Sequence, residues 1–134
     1  MAEALDIDAI AAMAAAFPDV TEGTRWGNRT WSVGGKAFVW ERPMTKADLK
    51  RFGDARIPSE PIIAIRAEDM HDKEAILASE PVGAFDIQHF ENYPAYLIEL
   101  ALTTEAALRE ALTDGWLAMA PQGLAERFLS SLNK

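Results

Sequence analysis

Apolar residues recur at two periods along this chain, and the change of period separates the predicted helices from the predicted strands. Near the N-terminus, five apolar side chains share the spacing of one helix face: Ile7, Ile10, Met13, Ala14 and Phe17. Asp6 precedes them as a predicted N-cap, and Pro18 ends the pattern. From residue 28 onward the period becomes two, which is typical of strands.

Two alternating segments, Asn28–Val33 and Lys36–Glu41, flank Gly34-Gly35 and predict a β-hairpin with a two-residue turn. With the glycines in the turn, one side of the ribbon pairs Val33 with Lys36, Trp31 with Phe38 and Arg29 with Trp40. The other side is more polar, so we predict that helices cover the aromatic side. The alternative is an open platform that stacks bases and holds phosphates.

The remaining patterns complete a mixed fold. They predict a short helix capped by Thr45, strands at 62–67, 84–88 and 96–102, a short helix at 72–79, a helix capped by Thr103 or Thr104, and a terminal helix opened by Pro121. Short connections favour an α+β, two-layer fold, with a mainly antiparallel sheet and helices on one face. No repeat or long linker interrupts the chain, so residues 1–134 are predicted to form a single domain.

Charge is distributed unevenly along the 134 residues. The net charge is −8, which argues against a long polyanion as partner, because nucleic-acid affinity depends on Lys and Arg that neutralise phosphates. Residues 21–56, however, hold eight of the 13 cations against four anions, a net charge of +4, and leave −12 for the remainder. The sequence therefore predicts a basic segment on an acidic body.

Composition excludes several classes of site. The chain has no cysteine, so it has neither disulfides nor thiolate metal sites, and a reducing cytoplasmic location fits. The N-terminus is acidic where a secretion signal is basic, and no apolar run is long enough to span a bilayer. Four carboxylates and a histidine gather at 68–74, but their spacing matches no metal motif and suits a helix N-terminus.

Two short segments are candidates for ligand contact. Arg25 and Trp26 precede the hairpin in a predicted loop with Gly23 and Gly27, and loops on a rigid scaffold often carry function. Residues 89–93 offer an imidazole, a carboxylate and a phenol, which are sufficient in kind for acid–base work. A structural turn before the next strand explains Asn92, Tyr93 and Pro94 without any chemistry and is the favoured interpretation. No nucleophile elbow, phosphate loop or dinucleotide fingerprint is present, so an enzyme is not expected.

Four segments together resemble the YjbR (MmcQ/YjbR-like) family. They are residues 26–38 (WGNRTWSVGGKAF), residues 89–95 (HFENYPA), Trp116 followed by Ala120-Pro121, and the Phe17-Pro18 end of the first helix. The resemblance implies a small bacterial α+β domain of the secretion-chaperone-like or frataxin-like type. Members of that family are commonly labelled DNA-binding on grounds of fold, which is an analogy.

The sequence as a whole predicts a non-enzymatic binding module with no cofactor, no bound metal and no membrane partner. Its expected ligand is DNA or another polyanion, held by the basic 21–56 region. The candidate contact residues are Arg25, Trp26, Arg29, Lys36, Lys46, Lys50, His89 and Tyr93. Two alternatives stay open: a protein-binding adaptor or chaperone-like dimer, and a small-molecule or metal site near Arg25, Trp26 and His89.

Overall fold

The computed structural model describes residues 5–132 as one antiparallel sheet with helices packed on it. Glu3, one of the acidic residues near the N-terminus, lies outside the described residues. The helices are α1 Ile7–Ala15, α2 Lys46–Phe52, α3 Met70–Ala78, α4 Glu105–Met119 and α5 Gln122–Leu132, with a 3-10 turn at Gln88–Phe90. The strands are β1 Val20–Arg25, β2 Asn28–Val33, β3 Lys36–Glu41, β4 Ile62–Arg66, β5 Ala84–Phe85 and β6 Ala95–Glu99.

The six strands lie in the order β1-β2-β3-β4-β6-β5, and every neighbouring pair is antiparallel. This arrangement confirms the predicted α+β class and the antiparallel sheet. Side-chain caps begin the helices where the sequence places them: Asp6 accepts from the Ala9 N–H at 2.8 Å, and Thr45 forms a capping box with Asp48. At α4 the cap is Thr104.

The main hydrophobic core lies between one face of the sheet and helices α1, α3, α4 and α5. Trp31, Phe38 and Trp116 are fully buried in it, which confirms that helices cover this part of the hairpin. Helix α4 approaches the sheet so closely at Gly115 that a Cβ there would lie 2.7 Å from Ile65 Cγ2. Close packing therefore requires a glycine in the middle of this helix.

A second, smaller core occupies the opposite face of the sheet. Its buried members are Ile62, Ala64, Ile87, Phe90, Ala95 and Leu97. Phe52 of α2 and the 3-10 turn pack over this cluster, so the sheet also carries one short helix on its second face. They cover only part of it, and Trp40 lies partly exposed beside them.

The predicted pairing of the hairpin is correct at its turn and wrong further along. Val33 faces Lys36 as expected, but Trp31 faces Val39 and Thr30 faces Trp40. Phe38 is the extra residue of a β-bulge, so Phe38 and Val39 both join the main core. The bulge places Trp40 on the second face of the sheet. The prediction that residues 29, 31, 33, 36, 38 and 40 share one side of the ribbon is therefore wrong at Trp40.

Candidate functional site

The β1–β2 hairpin places an exposed tryptophan at its tip. The segment before β2 is predicted to be a loop, but residues 20–25 form strand β1, and its connection to β2 is the two-residue turn Trp26-Gly27. Both turn residues have positive φ, +55° for Trp26 and +78° for Gly27. The Trp26 side chain is 94% exposed, although a bulky side chain is uncommon in this backbone region.

Beneath this turn lies a cleft of about 480 Å³, which we call the aromatic cleft. Its lining residues come from three stretches of the chain: Arg25, Trp26, Asn28, Thr30, Ala37, Trp40, Arg42, Pro43, Met44, Thr45, His89, Phe90 and Tyr93. Trp40 lies there because of the β3 bulge, with its ring centroid 6.5 Å from that of Phe90. The volume falls within the range typical of small-molecule sites.

One wall of the aromatic cleft is the 86–93 segment, and a buried lysine holds that segment in place. Lys73 of α3 is only 1% exposed, and its ammonium donates to the carbonyl oxygens of Phe90 and Tyr93, the latter at 2.9 Å. Asp86 Oδ1 lies 3.1 Å from the same Nζ. Both ends of the wall are thus attached to α3 by the Lys73 ammonium, a buried charge whose hydrogen-bond and ion-pair partners are all present.

Arg42 forms part of the same cleft but is already neutralised. Its Nη1 lies 2.9 Å from Asp48 Oδ2, and its guanidinium lies 5.4 Å from the centre of the Phe90 ring. Burial of Asp48 acts to raise its pKa, but hydrogen bonds from the Thr45 backbone and from Arg42 outweigh burial and lower it. This pair fixes the start of α2 against the cleft.

A second cleft of about 390 Å³ adjoins the first, and we call it the cationic cleft. The two share the lining residues Arg25, Ala37 and Tyr93, and together we call them the groove. Lys36 and Arg66 line the cationic cleft, and the Arg66 guanidinium lies 5.2 Å from the centre of the Tyr93 ring. Within residues 5–132, Arg25, Lys36 and Arg66 have no carboxylate partner.

Among the described residues, no Asp or Glu side chain lines the groove, although acidic residues are the commonest charged residues of the protein. The chain has 21 acidic residues, yet none of the described ones lines either cleft. Four Arg and Lys side chains and one histidine do. The electrostatic environment therefore favours an anion at this position on an otherwise acidic protein.

The structure brings together some of the predicted contact residues and separates others. Arg25, Trp26, His89 and Tyr93 line the aromatic cleft, and Lys36 lines the cationic one. The remaining three, Arg29, Lys46 and Lys50, line neither cleft.

Arg29 is occupied elsewhere. It donates to both carboxylate oxygens of Glu22 and to Asp8, and its Nη1 lies 2.8 Å from Asp8 Oδ1. Hydrogen bonding to Arg29 lowers the pKa of Glu22, and the same contacts raise the pKa of Arg29.

Of the eight cations in residues 21–56, four form ion pairs: Arg29, Arg42, Arg51 and Arg56. The continuous basic surface expected there is therefore reduced to fewer free charges.

Sequence patterns miss four residues of the site. They are Trp40, Arg42, Arg66 and Lys73. The bulge brings Trp40 to the groove, the strand order brings Arg66, and a buried ion pair attaches Lys73 to the wall. A signal was available for Arg66 alone, since it is a charged residue at the end of the otherwise apolar 62–67 run.

The acidic segment at 68–74 serves as a helix start. Asp69 caps α3 by accepting from the Asp72 N–H at 2.8 Å, and Asp72 accepts from the Glu68 N–H at 3.0 Å. Among residues 5–132, no group of three or more His, Asp or Glu residues is placed to hold a metal ion. In the same range, no helix has the length and apolarity needed to cross a membrane.

These features define a small antiparallel α+β domain with a cationic, aromatic groove centred on the sheet face opposite its main helical layer. The chain belongs to the YjbR family, whose model matches residues 15–118. Similar proteins include the uncharacterized proteins Mb2600 of Mycobacterium bovis and Rv2570 of Mycobacterium tuberculosis. Each is 40% identical over 104 residues, covering 75% of this chain and 80% of the relative. No solved structure gives a significant match.

Proposed function

We propose that the protein is a non-enzymatic binding module and that the groove holds an anionic ligand. One observation carries this proposal: three cations without carboxylate partners, Arg25, Lys36 and Arg66, line a groove that contains no described acidic side chain, in a protein of net charge −8. Such an arrangement costs electrostatic repulsion among the cations. An anion bound between them would relieve that repulsion.

The exposed indole of Trp26 supports a contact role for the same place. Large aromatic side chains are typical of binding hot spots, whereas in a folded monomer they are mostly well buried. Trp26 is 94% exposed and contributes an aromatic surface beside Arg25. A ligand with a flat ring would bury that surface.

The chemistry of the lining favours binding over turnover. His89 is the one imidazole in the groove, and no described carboxylate lies there to orient it. General acid–base catalysis usually needs a second group that positions the first. Holding an anion requires only the cations and hydrogen-bond donors that are present.

DNA or another polyanion is a ligand that fits this proposal. It would be held at the groove and not across a broad basic surface. Single-strand binding sites combine cations that follow the backbone with aromatic side chains on which bases stack. Trp26 and Tyr93 supply exposed rings, and Arg25 lies between the two clefts. Lys46 and Lys50 lie on α2, outside both clefts, so they are expected to matter less.

The test is a fluorescence titration with a short oligothymidylate strand at several salt concentrations. Binding should quench Trp26 and weaken steeply as salt rises, because phosphates release counterions when they are neutralised. Arg25→Glu should weaken binding by about tenfold or more, since it removes one charge-assisted contact and adds repulsion. Lys50→Glu, which makes the same charge change on α2, is the matched control.

Equal weakening by the two variants would place the binding surface outside the groove. No response of Trp26 to this strand, to heparin or to small aromatic anions at low salt would refute the proposal altogether.

A further inference from the structure

Resting on the proposed function, we infer that the groove recognises a flat ring and a terminal phosphate on the same small ligand. The ring belongs in the aromatic cleft and the phosphate in the cationic cleft. The ligand class is therefore a phosphate monoester that also carries an aromatic ring, such as a nucleotide.

The aromatic cleft has the lining of a ring site. Four aromatic side chains line it together with the aliphatic parts of Ala37, Pro43 and Met44: Trp26, Trp40, Phe90 and Tyr93. Stacking of a base on such side chains contributes about 1–3 kcal/mol per base. Asn28, Thr30 and Thr45 add polar groups to the same lining, which is the usual composition of small-molecule sites.

The cationic cleft has the charge of a phosphate site. Arg25, Lys36 and Arg66 come from β1, β3 and β4, so three separate strands converge there. Arg66 Nη1 also lies 3.5 Å from the Tyr93 hydroxyl. A terminal phosphate carries a charge of about −1.5 to −2 near neutral pH, whereas a diester carries −1. Three unneutralised cations match the monoester better than an internal linkage of a strand.

The two compartments are adjacent, which restricts the length of the ligand. Arg25 and Tyr93 line both clefts, so a ring in one and a phosphate in the other would lie against the same two side chains. A free nucleotide meets this restriction, as does the phosphorylated end of a single strand. Both present the same chemistry to the groove, and experiment can separate them.

Affinity is measured by calorimetry with adenosine monophosphate, adenosine and inorganic phosphate on the full chain. We expect adenosine monophosphate to bind at least about tenfold more tightly than either of the others, because charge-assisted hydrogen bonds to the phosphate add to stacking of the ring. Arg66→Met should reduce its affinity toward that of adenosine. Lys46→Met, which removes an exposed cation outside the groove, should leave it unchanged.

Because Arg66 is partly buried, Arg66→Lys is tested beside it as a variant that keeps the charge. It should retain more affinity for the nucleotide than Arg66→Met, with an unchanged near-ultraviolet circular dichroism spectrum. A second arm compares an oligothymidylate strand with a phosphorylated end to one with a hydroxyl end. Preference for the free nucleotide identifies a small metabolite, and preference for the phosphorylated strand identifies a strand end.

Equal affinity for adenosine and adenosine monophosphate overturns this inference, as does equal affinity for the two strand ends together with no binding of the nucleotide. In both cases the proposed function survives if the Arg25→Glu variant still loses anion binding. Absence of binding by every anion refutes both.

Discussion

At the scale of single residues, Trp26 combines two unfavourable features in one position. Its φ of +55° places a bulky residue in the left-handed region, and its indole is almost fully exposed to water. The turn itself needs positive φ at both central residues, for which Asn-Gly is the preferred pair. Backbone strain of this kind is often kept where it serves a site.

Trp26→Asn should therefore stabilise the fold and weaken ligand binding together. Asn tolerates the left-handed region, so we expect the free energy of unfolding to rise by about 1 kcal/mol. Urea denaturation of both proteins measures this change, and anion titration measures the loss of affinity.

Trp26→Phe is the control for that prediction. It keeps an aromatic ring and the strain, so it should leave stability within about 0.5 kcal/mol of the original and preserve part of the affinity. A Trp26→Asn protein that is less stable than the original would contradict the assignment of strain to this turn.

At the scale of elements, the sequence predicts helices and strands better than it predicts which face a side chain occupies. Caps, prolines and the Gly34-Gly35 turn are local signals, and they place most elements to within a few residues. A β-bulge has no comparable local signature, and one extra residue reverses the faces that follow it. Phe38 is that residue, which is why Trp40 belongs to the cleft rather than to the main core.

The sequence pattern does not predict strand β1, for a related reason. Residues 20–25 are mostly polar and include Gly23, so they lack the alternation that predicts a strand. They form one because they pair with β2 along a full register from Val20–Val33 to Arg25–Asn28. Contacts that depend on distant parts of the chain, such as Lys73 with the 86–93 segment, are likewise absent from any local pattern.

Lys73→Met is predicted to loosen the wall of the aromatic cleft. Its loss would leave two carbonyl oxygens and Asp86 without their shared donor, so we expect destabilisation of about 2 kcal/mol or more. Hydrogen exchange should accelerate in residues 86–93 before it does in the central strands.

The matched control is Arg109→Met, which removes the exposed ion pair between Arg109 and Glu105, at 2.7 Å. Pairs of this kind contribute about 0.5 kcal/mol or less. If the two substitutions have equal effects, Lys73 does not hold the wall.

At the scale of the whole molecule, acidic groups that bind arginine make stability depend on pH. Hydrogen bonding from Arg56 lowers the pKa of Glu99, and Arg29 has the same effect on Glu22. A carboxyl whose pKa is lower in the folded state takes up protons more readily when unfolded. Its stabilising contribution is present above its unfolded pKa, 4.5 for glutamate, and disappears as the pH falls through the folded value.

Glu99→Gln should therefore destabilise the protein near neutral pH and have a smaller effect in acid. Arg56 donates to both Glu99 oxygens, at 2.9 and 2.7 Å. Glutamine is uncharged and has only one oxygen, so it cannot accept both hydrogen bonds. Unfolding midpoints of the two proteins, measured from neutral pH down to about pH 3, should converge as the carboxyl of the original becomes protonated. A constant difference across this range would show that Glu99 acts through packing alone.

Because Arg25 lines both clefts, ligands bound in the two clefts would be thermodynamically linked. A group bound on one side changes the field and the freedom of the guanidinium on the other, so the two partial ligands must raise or lower each other's affinity by the same factor. A double titration of adenosine against inorganic phosphate would yield that reciprocal factor directly, and replacing the shared arginine should bring it close to one.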